Sequence, residues 1–112
     1  MKKIEAIVRS EKVGEVRQAL EKIHYKGLTL TQVDGHGNQR GTTQKWKDKE
    51  YKIEIIPKTK IEIIAEDKDV EKILDAIILS ARTGAIGDGK IFVYAVDMAV
   101  RIRTGEVGAN AL

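Results

Sequence analysis

The stretch Gly84-Ala85-Ile86-Gly87-Asp88-Gly89-Lys90 packs three glycines and a lysine into seven residues. Gly84, Gly89 and Lys90 satisfy the spacing G-x-x-x-x-G-K. A phosphate-binding P-loop, however, continues with Ser or Thr and opens a helix whose amides face the phosphates. Here Ile91 follows, and the pattern runs from a helix into a strand, so the P-loop NTPase reading fails on context. What survives is physical: glycines let backbone amides approach an anion closely, and Lys90 adds a point charge. The alternative is an ordinary helix-to-strand turn. Arg101 and Arg103 stand two apart in a segment that reads as extended, which puts both side chains on one face. Adjacent guanidiniums repel unless an anion lies between them, and their fork geometry suits phosphate; the alternative is a solvated strand edge. Taken together, the glycine loop, Lys90 and the two arginines point to a polyphosphate site. Thr29 and the Gly35–Gly37 turn supply small polar and backbone groups for a base.

No catalytic constellation accompanies these residues. The chain has no cysteine, which excludes disulfides, thiolate metal sites and a Cys nucleophile and is compatible with the cytosol. His24 and His36 are too few for a zinc cluster. His24, near a helix end, reads as structural, whereas His36 lies in a loop where it could touch a ligand. Ser10 and Ser80 have no evident base partner. Glu54 and Glu62 alternate with lysines and read as a solvated strand face. Aromatics make up 4% of the chain, too few for a single-strand stacking platform.

The elements that must position the site follow from periodicity. At 112 residues the chain reads as one domain, long enough for a core without staples. No apolar run approaches the ~18 residues of a membrane span. Glu5 and Arg9 interrupt any signal-peptide core at the start. Ile4, Ala6 and Val8 share one face of a strand over 3–9. Ser10 is placed to cap a helix carrying Val13, Val16, Leu20 and Ile23, which Lys26 and Gly27 end. Residues 28–34 alternate as a second strand. Residues 35–51 lack periodicity and hold Trp46 and Tyr51. Between Gly35 and Lys52 five cations face two anions, a surplus equal to the whole net charge of +3. A basic patch confined to one segment suggests a local anionic partner.

Residues 52–66 alternate again, far enough to project from a small body, and Pro57 marks an edge, a bulge or the point where the ribbon leaves the sheet. Asp67 or Asp69 is placed to cap a helix with the stripe Val70, Ile73, Leu74, Ile77 and Ile78. Strand 91–97 and an extended segment 99–103 complete the chain. The order β-α-β, loop, β-α-β predicts an α+β, ferredoxin-like βαββαβ domain, with an antiparallel sheet, two helices on one face and a long projecting loop. The open face, with Ile7, Ile56, Ile64 and Phe92, is apolar enough to favour an oligomer. An RNA-recognition domain shares this order but stacks bases on aromatics of its third strand, and Lys58–Ala65 has none. An acylphosphatase-type phosphate-hydrolysing enzyme remains the alternative.

Over its whole length the chain resembles the PII nitrogen-regulatory signal transduction proteins. Thr83–Val93 (Thr-Gly-Ala-Ile-Gly-Asp-Gly-Lys-Ile-Phe-Val) matches the nucleotide-binding signature of that family, and Arg101-Ile-Arg-Thr-Gly-Glu106 matches its C-terminal basic segment. Pro57-Lys58, Gly35-x-Gly37 and Gln39 also fit. The resemblance implies a cytoplasmic, non-enzymatic homotrimer that binds ATP and ADP in clefts between subunits. It implies nucleotide contacts at Gly35, Gly37, Gly87, Asp88, Gly89, Lys90, Arg101 and Arg103, with Thr29 and Ile64 near the nucleoside. It further implies Mg²⁺ held by Gln39 and the ATP phosphates, and 2-oxoglutarate chelated by that ion and paired with Lys58. The loop, about residues 37–55, is then the arm that docks onto a target such as an ammonium transporter or a nitrogen-metabolism enzyme, with no nucleic acid bound and no membrane insertion. The departures lie in that arm, where Trp46-Lys47-Asp48-Lys49-Glu50-Tyr51 replaces the usual Tyr-(Arg/Lys)-Gly-x-x-Tyr. Tyr51 keeps the position uridylylated in some members, in an altered context.

Overall fold

A computed structural model describes the backbone of every residue except Lys26, Lys47 and Asp48, and the side chains outside 37–54 apart from Lys26. Strand β1 (Lys2–Arg9) leads through a 3-10 turn (Ser10–Lys12) into helix α1 (Val13–Lys22). Strands β2 (Thr29–Trp46) and β3 (Lys49–Ala65) follow, then a second 3-10 turn (Asp67–Asp69), helix α2 (Val70–Ala81) and strand β4 (Lys90–Ala95). The sheet has the order β2-β3-β1-β4, and all its pairings are antiparallel. This is the ferredoxin-like arrangement that the element order predicted, with both helices on one face.

Alternation decides which face they cover. Ile4, Ala6 and Val8 of β1 and Ile61, Ile63 and Ala65 of β3 are buried against Val16 and Leu20 of α1 and Ile73, Ile77 and Ala81 of α2. Each fully buried isoleucine contributes about 2 kcal/mol of transfer free energy, so this layer holds the scaffold of the site.

The helix ends differ from the sequence expectation. Ser10 makes no capping hydrogen bond; its hydroxyl meets that of Thr59 at 3.0 Å. Asp69 occupies the cap position of α2 without a side-chain cap bond, and Asp67 pairs with the N-terminal ammonium at 2.9 Å. Helix α1 stops before Gly27, and His24 takes the left-handed turn at φ 68°. The amides of His24 and Tyr25 donate to the Glu21 and Leu20 carbonyls there, which gives His24 its structural role.

The projecting segment also differs in detail. Strand β2 runs on to Trp46, paired with β3 as far as Trp46↔Lys49, with a register shift between Asn38 and Thr43. Gly35 and Gly37 therefore sit inside a strand, opposite Ile56 and Glu54, and not in a turn. The reason is that ladder pairing uses backbone groups and needs no apolar alternation, so a polar ribbon is invisible to periodicity. The molecule is 59 Å along its longest axis. Strand β1 pairs with β3 only from Lys58 onward. Pro57 is thus the first residue beyond the reach of β1, where the ribbon leaves the sheet.

Candidate functional site

The glycine loop lies between α2 and β4, and one carboxylate organises it. Asp88 accepts hydrogen bonds from the Thr83 amide at 2.9 Å, the Gly84 amide at 2.8 Å, the Thr83 hydroxyl at 2.5 Å and Arg9 Nε at 3.2 Å. The bonds from Thr83 are the main reason its carboxyl is held well below the usual carboxylate range. Gly84, Gly87 and Gly89 all have positive φ. At Gly89, with φ 98°, glycine is obligatory, because a Cβ there would lie 1.7 Å from the Ile7 carbonyl oxygen. The loop is laid directly onto β1, an approach that admits no side chain.

Lys58 rises beneath this loop. It is 7% exposed, and its ammonium donates to the Gly87 carbonyl. Burial pushes its pKa down and the Arg9 charge pushes the same way, while Glu11 and Asp88 oppose them. Because a trans peptide holds C=O and N–H in opposite directions, a Gly87 carbonyl turned to Lys58 turns the Asp88 amide away from it. Among the described residues, the amides of Gly87, Asp88 and Gly89 donate to no group. Three consecutive amides, Lys90 beside them and Lys58 behind form a concavity suited to an anion. A cavity of about 300 Å³ adjoins it, floored by Ile77, Ile78 and Ala81 and rimmed by Arg82 and Lys90. Gly35 belongs to this neighbourhood as well: a Cβ on it would stand 3.2 Å from Cγ of Lys58, so glycine leaves room for the lysine stem.

Thr29 and Ile64 line a different cleft, of about 600 Å³, together with Tyr25, Glu62, Glu66 and Leu112. The two glutamates escaped the sequence reading, which treated Glu62 as part of a solvated face. The pairing Thr29↔Glu62 turns it toward Thr29 on the open side of the sheet. One wall of this cleft is fixed by Tyr25, whose hydroxyl donates to Asp69; Lys72 pairs with the same carboxylate at 3.1 Å. Burial first, and Asp69 second, push the Tyr25 hydroxyl up to about 12.

Arg101 and Arg103 line neither cavity. The extended segment expected to align them is a tight turn. The Arg101 amide donates to the Glu106 carbonyl at 2.9 Å and the Gly105 amide to the Arg101 carbonyl at 2.7 Å, so the two side chains do not share a strand face. Gly105, with φ 73°, makes the reversal. The Arg101 guanidinium pairs with Glu106 at 3.1 Å and donates to the Leu112 carbonyl at 3.3 Å. Gly37, Trp46 and Tyr51 are placed by backbone register only, Gln39 lies in β2 where the register shifts, and the side-chain surroundings of all four lie outside the described residues.

The open sheet face is more polar than expected. Ile7, Ile56 and Ile64 are half-buried and Phe92 is exposed, but a charged chain runs between them. Tyr94 donates to Glu5 at 3.0 Å, Lys60 approaches Glu5 at 3.9 Å and Glu62 at 3.5 Å, and Lys3 lies 4.5 Å from the Tyr94 ring centre. Val93, Tyr94, Met98, Val100 and Val107 add exposed apolar surface along and beyond β4. Among the described residues, no helix is long and apolar enough to cross a membrane.

Fold and site together define a ferredoxin-like domain whose glycine loop, between α2 and β4, is laid onto β1 and tied to Arg9 and Lys58. Comparison with known proteins gives the family. The family profile described as Nitrogen regulatory protein P-II matches residues 1–106. The chain is 51% identical to "Nitrogen regulatory protein P-II 2" of Methanothermobacter thermautotrophicus, over all of this chain and 97% of that one. It is 50% identical to "Nitrogen regulatory protein P-II" of Rhodospirillum rubrum and 46% identical to that of Haemophilus influenzae, each over the full length of both chains. The chain belongs to the nitrogen regulatory protein P-II family, whose members among these relatives are named as regulatory proteins.

Proposed function

We propose that this protein is a non-enzymatic, cytoplasmic sensor that binds ATP and ADP at one site and reports the occupancy to a target protein through residues 37–55. One observation carries this reading: the unengaged amides of Gly87, Asp88 and Gly89 beside Lys90 and the buried Lys58. Unengaged amides with flanking cations suit the oxygens of a polyphosphate and give a hydrolytic reaction no nucleophile. Thr29 and Ile64 are the nucleoside contacts in this reading, and Gly35 and Gly37 border the phosphates.

Arg101 and Arg103 do not line the cavity beside the glycine loop, and in this reading another copy of the chain brings them to it. The exposed apolar surface around β4 favours such a copy, and the proposed assembly is a homotrimer with nucleotide between subunits. Mg²⁺ enters with the phosphates, as it does at most nucleotide sites. Gln39 is the proposed protein contribution to that ion, and Lys58 the proposed partner of a dicarboxylate such as 2-oxoglutarate. The target is of the kind that nitrogen regulation requires, an ammonium transporter or a nitrogen-metabolism enzyme. Tyr51 is proposed as a modification position only.

Calorimetry with ATP on wild type and Lys90→Ala tests the phosphate assignment, with at least a tenfold loss expected in the variant; equal affinities reject it. Titration of 2-oxoglutarate should give heat only when Mg-ATP is present. Light scattering tests the trimer, and a steady-state turnover assay tests the absence of ATP hydrolysis.

A further inference from the structure

Arg9 ends β1 and lies 79 residues from Asp88 in sequence, yet its guanidinium holds the glycine loop at two points. Nε donates to Asp88 Oδ1 at 3.2 Å, and a terminal nitrogen donates to the Ile86 carbonyl at 2.8 Å. Both side chains of the ion pair are largely covered, at 21% and 24% exposure. The remaining bonds to Asp88 come from Thr83 and Gly84, inside the loop itself. They shape the loop but do not fix it to the sheet. Arg9 does so on the β1 side, and Lys58 does so through the Gly87 carbonyl. The amides of residues 87–89 point in a fixed direction only while both attachments hold. An anion that must first order its own loop binds more weakly, because the ordering entropy is subtracted from the gain on binding.

We propose that Arg9 is a positioning residue for the anion site, acting through Asp88 and the Ile86 carbonyl and touching no part of the bound nucleotide. This deepens the nucleotide reading and rests on it. The forked geometry matters: two different nitrogens reach two different acceptors, and a lysine ammonium cannot reproduce that span.

The test is calorimetry with ATP on wild type, Arg9→Gln, Arg9→Lys, Asp88→Asn and the Arg9→Gln/Asp88→Asn double variant. Thermal unfolding, amide hydrogen exchange at Thr83 and Gly84, and adenosine-induced NMR shifts at Thr29 and Ile64 are followed alongside. Loss of a charge-assisted bond to the loop is expected to weaken ATP binding about tenfold in Arg9→Gln. Arg9→Lys should recover part of that loss. The double variant should lose less than the sum of the two single losses, since the Arg9–Asp88 bond is common to both substitutions. The adenosine response should stay at the wild-type level. ATP affinity in Arg9→Gln within twofold of wild type overturns the proposal. So does a parallel fall in the adenosine response and the melting temperature, which marks a general structural role. If the wild type itself fails to bind ATP, the nucleotide reading is what fails. The exchange rates at Thr83 and Gly84 then still decide whether Arg9 holds the loop, and unchanged rates would sink that as well.

Discussion

The loop at residues 83–89 and the turn at residues 101–106 look alike on paper. Each has a glycine at positive φ, and each has an arginine paired with a carboxylate at just over 3 Å, 3.2 Å for Arg9–Asp88 and 3.1 Å for Arg101–Glu106. Their construction is opposite. The first is held by Arg9, 77 and 79 residues from the two groups it binds, and its Gly89 is pressed against β1. The second closes on itself over five residues, and a Cβ on its Gly105 would meet nothing within 4 Å. The long-range tie fixes its loop to the sheet, whereas the Arg101–Glu106 pair closes only its own turn.

The glycines give the largest expected contrast. Gly89→Ala combines backbone strain with a collision that only movement of β1 relieves, so it should lower stability by about 3 kcal/mol or more in urea unfolding. Gly105→Ala meets strain without collision and should lose about 1 kcal/mol. Similar losses at the two positions would break the comparison.

Acid should separate the two regions next. The folded pKa of Asp88 is depressed below the ordinary 3.8, so the stability it contributes is present above that value and is lost as pH falls below it. The urea midpoint of wild type should therefore drop between pH 5 and pH 3 by more than that of Asp88→Asn. A drop of the same size in both proteins would show that the loop carboxylate is not held by its hydrogen bonds.

Another long-range tie calibrates the scale. Tyr25 and Asp69 are 44 residues apart, and the tyrosine pKa is raised from 10.0 to about 12. Its contribution is full below pH 10 and is lost as pH rises through 12. Tyr25→Phe should cost about 1 kcal/mol at neutral pH and flatten the alkaline side of the stability curve. The smallest effect is expected at Glu106→Gln. This exposed, local pair should change stability by less than about 0.5 kcal/mol, measured by thermal unfolding.

What could be read beforehand follows the same division. Alternation in β1 and in the body of β3, and the stripes of both helices, were legible because burial imposes a period on contiguous residues. The glycine loop was legible as a concentration of glycine beside lysine. The cap residues were not: Ser10 has the right side chain for a cap, but Thr59 of β3 competes for its hydroxyl. Nor was the 101–106 turn, since an Arg-x-Arg spacing says nothing about the Gly105 reversal that follows it. The extension of β2 to Trp46 was hidden because its pairing is a matter of backbone alone.

The amino-acid order by itself determined the two-layer body and the concentration of glycine beside Lys90, and it marked Pro57 as an irregular point in its strand without saying which kind. These properties depend on neighbours within a few residues, where period and residue type are sufficient. Only the folded chain decided that Arg9 and Lys58 hold the loop, that Gly89 has no room for a side chain, and that Glu62 shares a cleft with Thr29. Those contacts join residues from 29 to 82 positions apart, and no local pattern encodes which distant group will meet a given one.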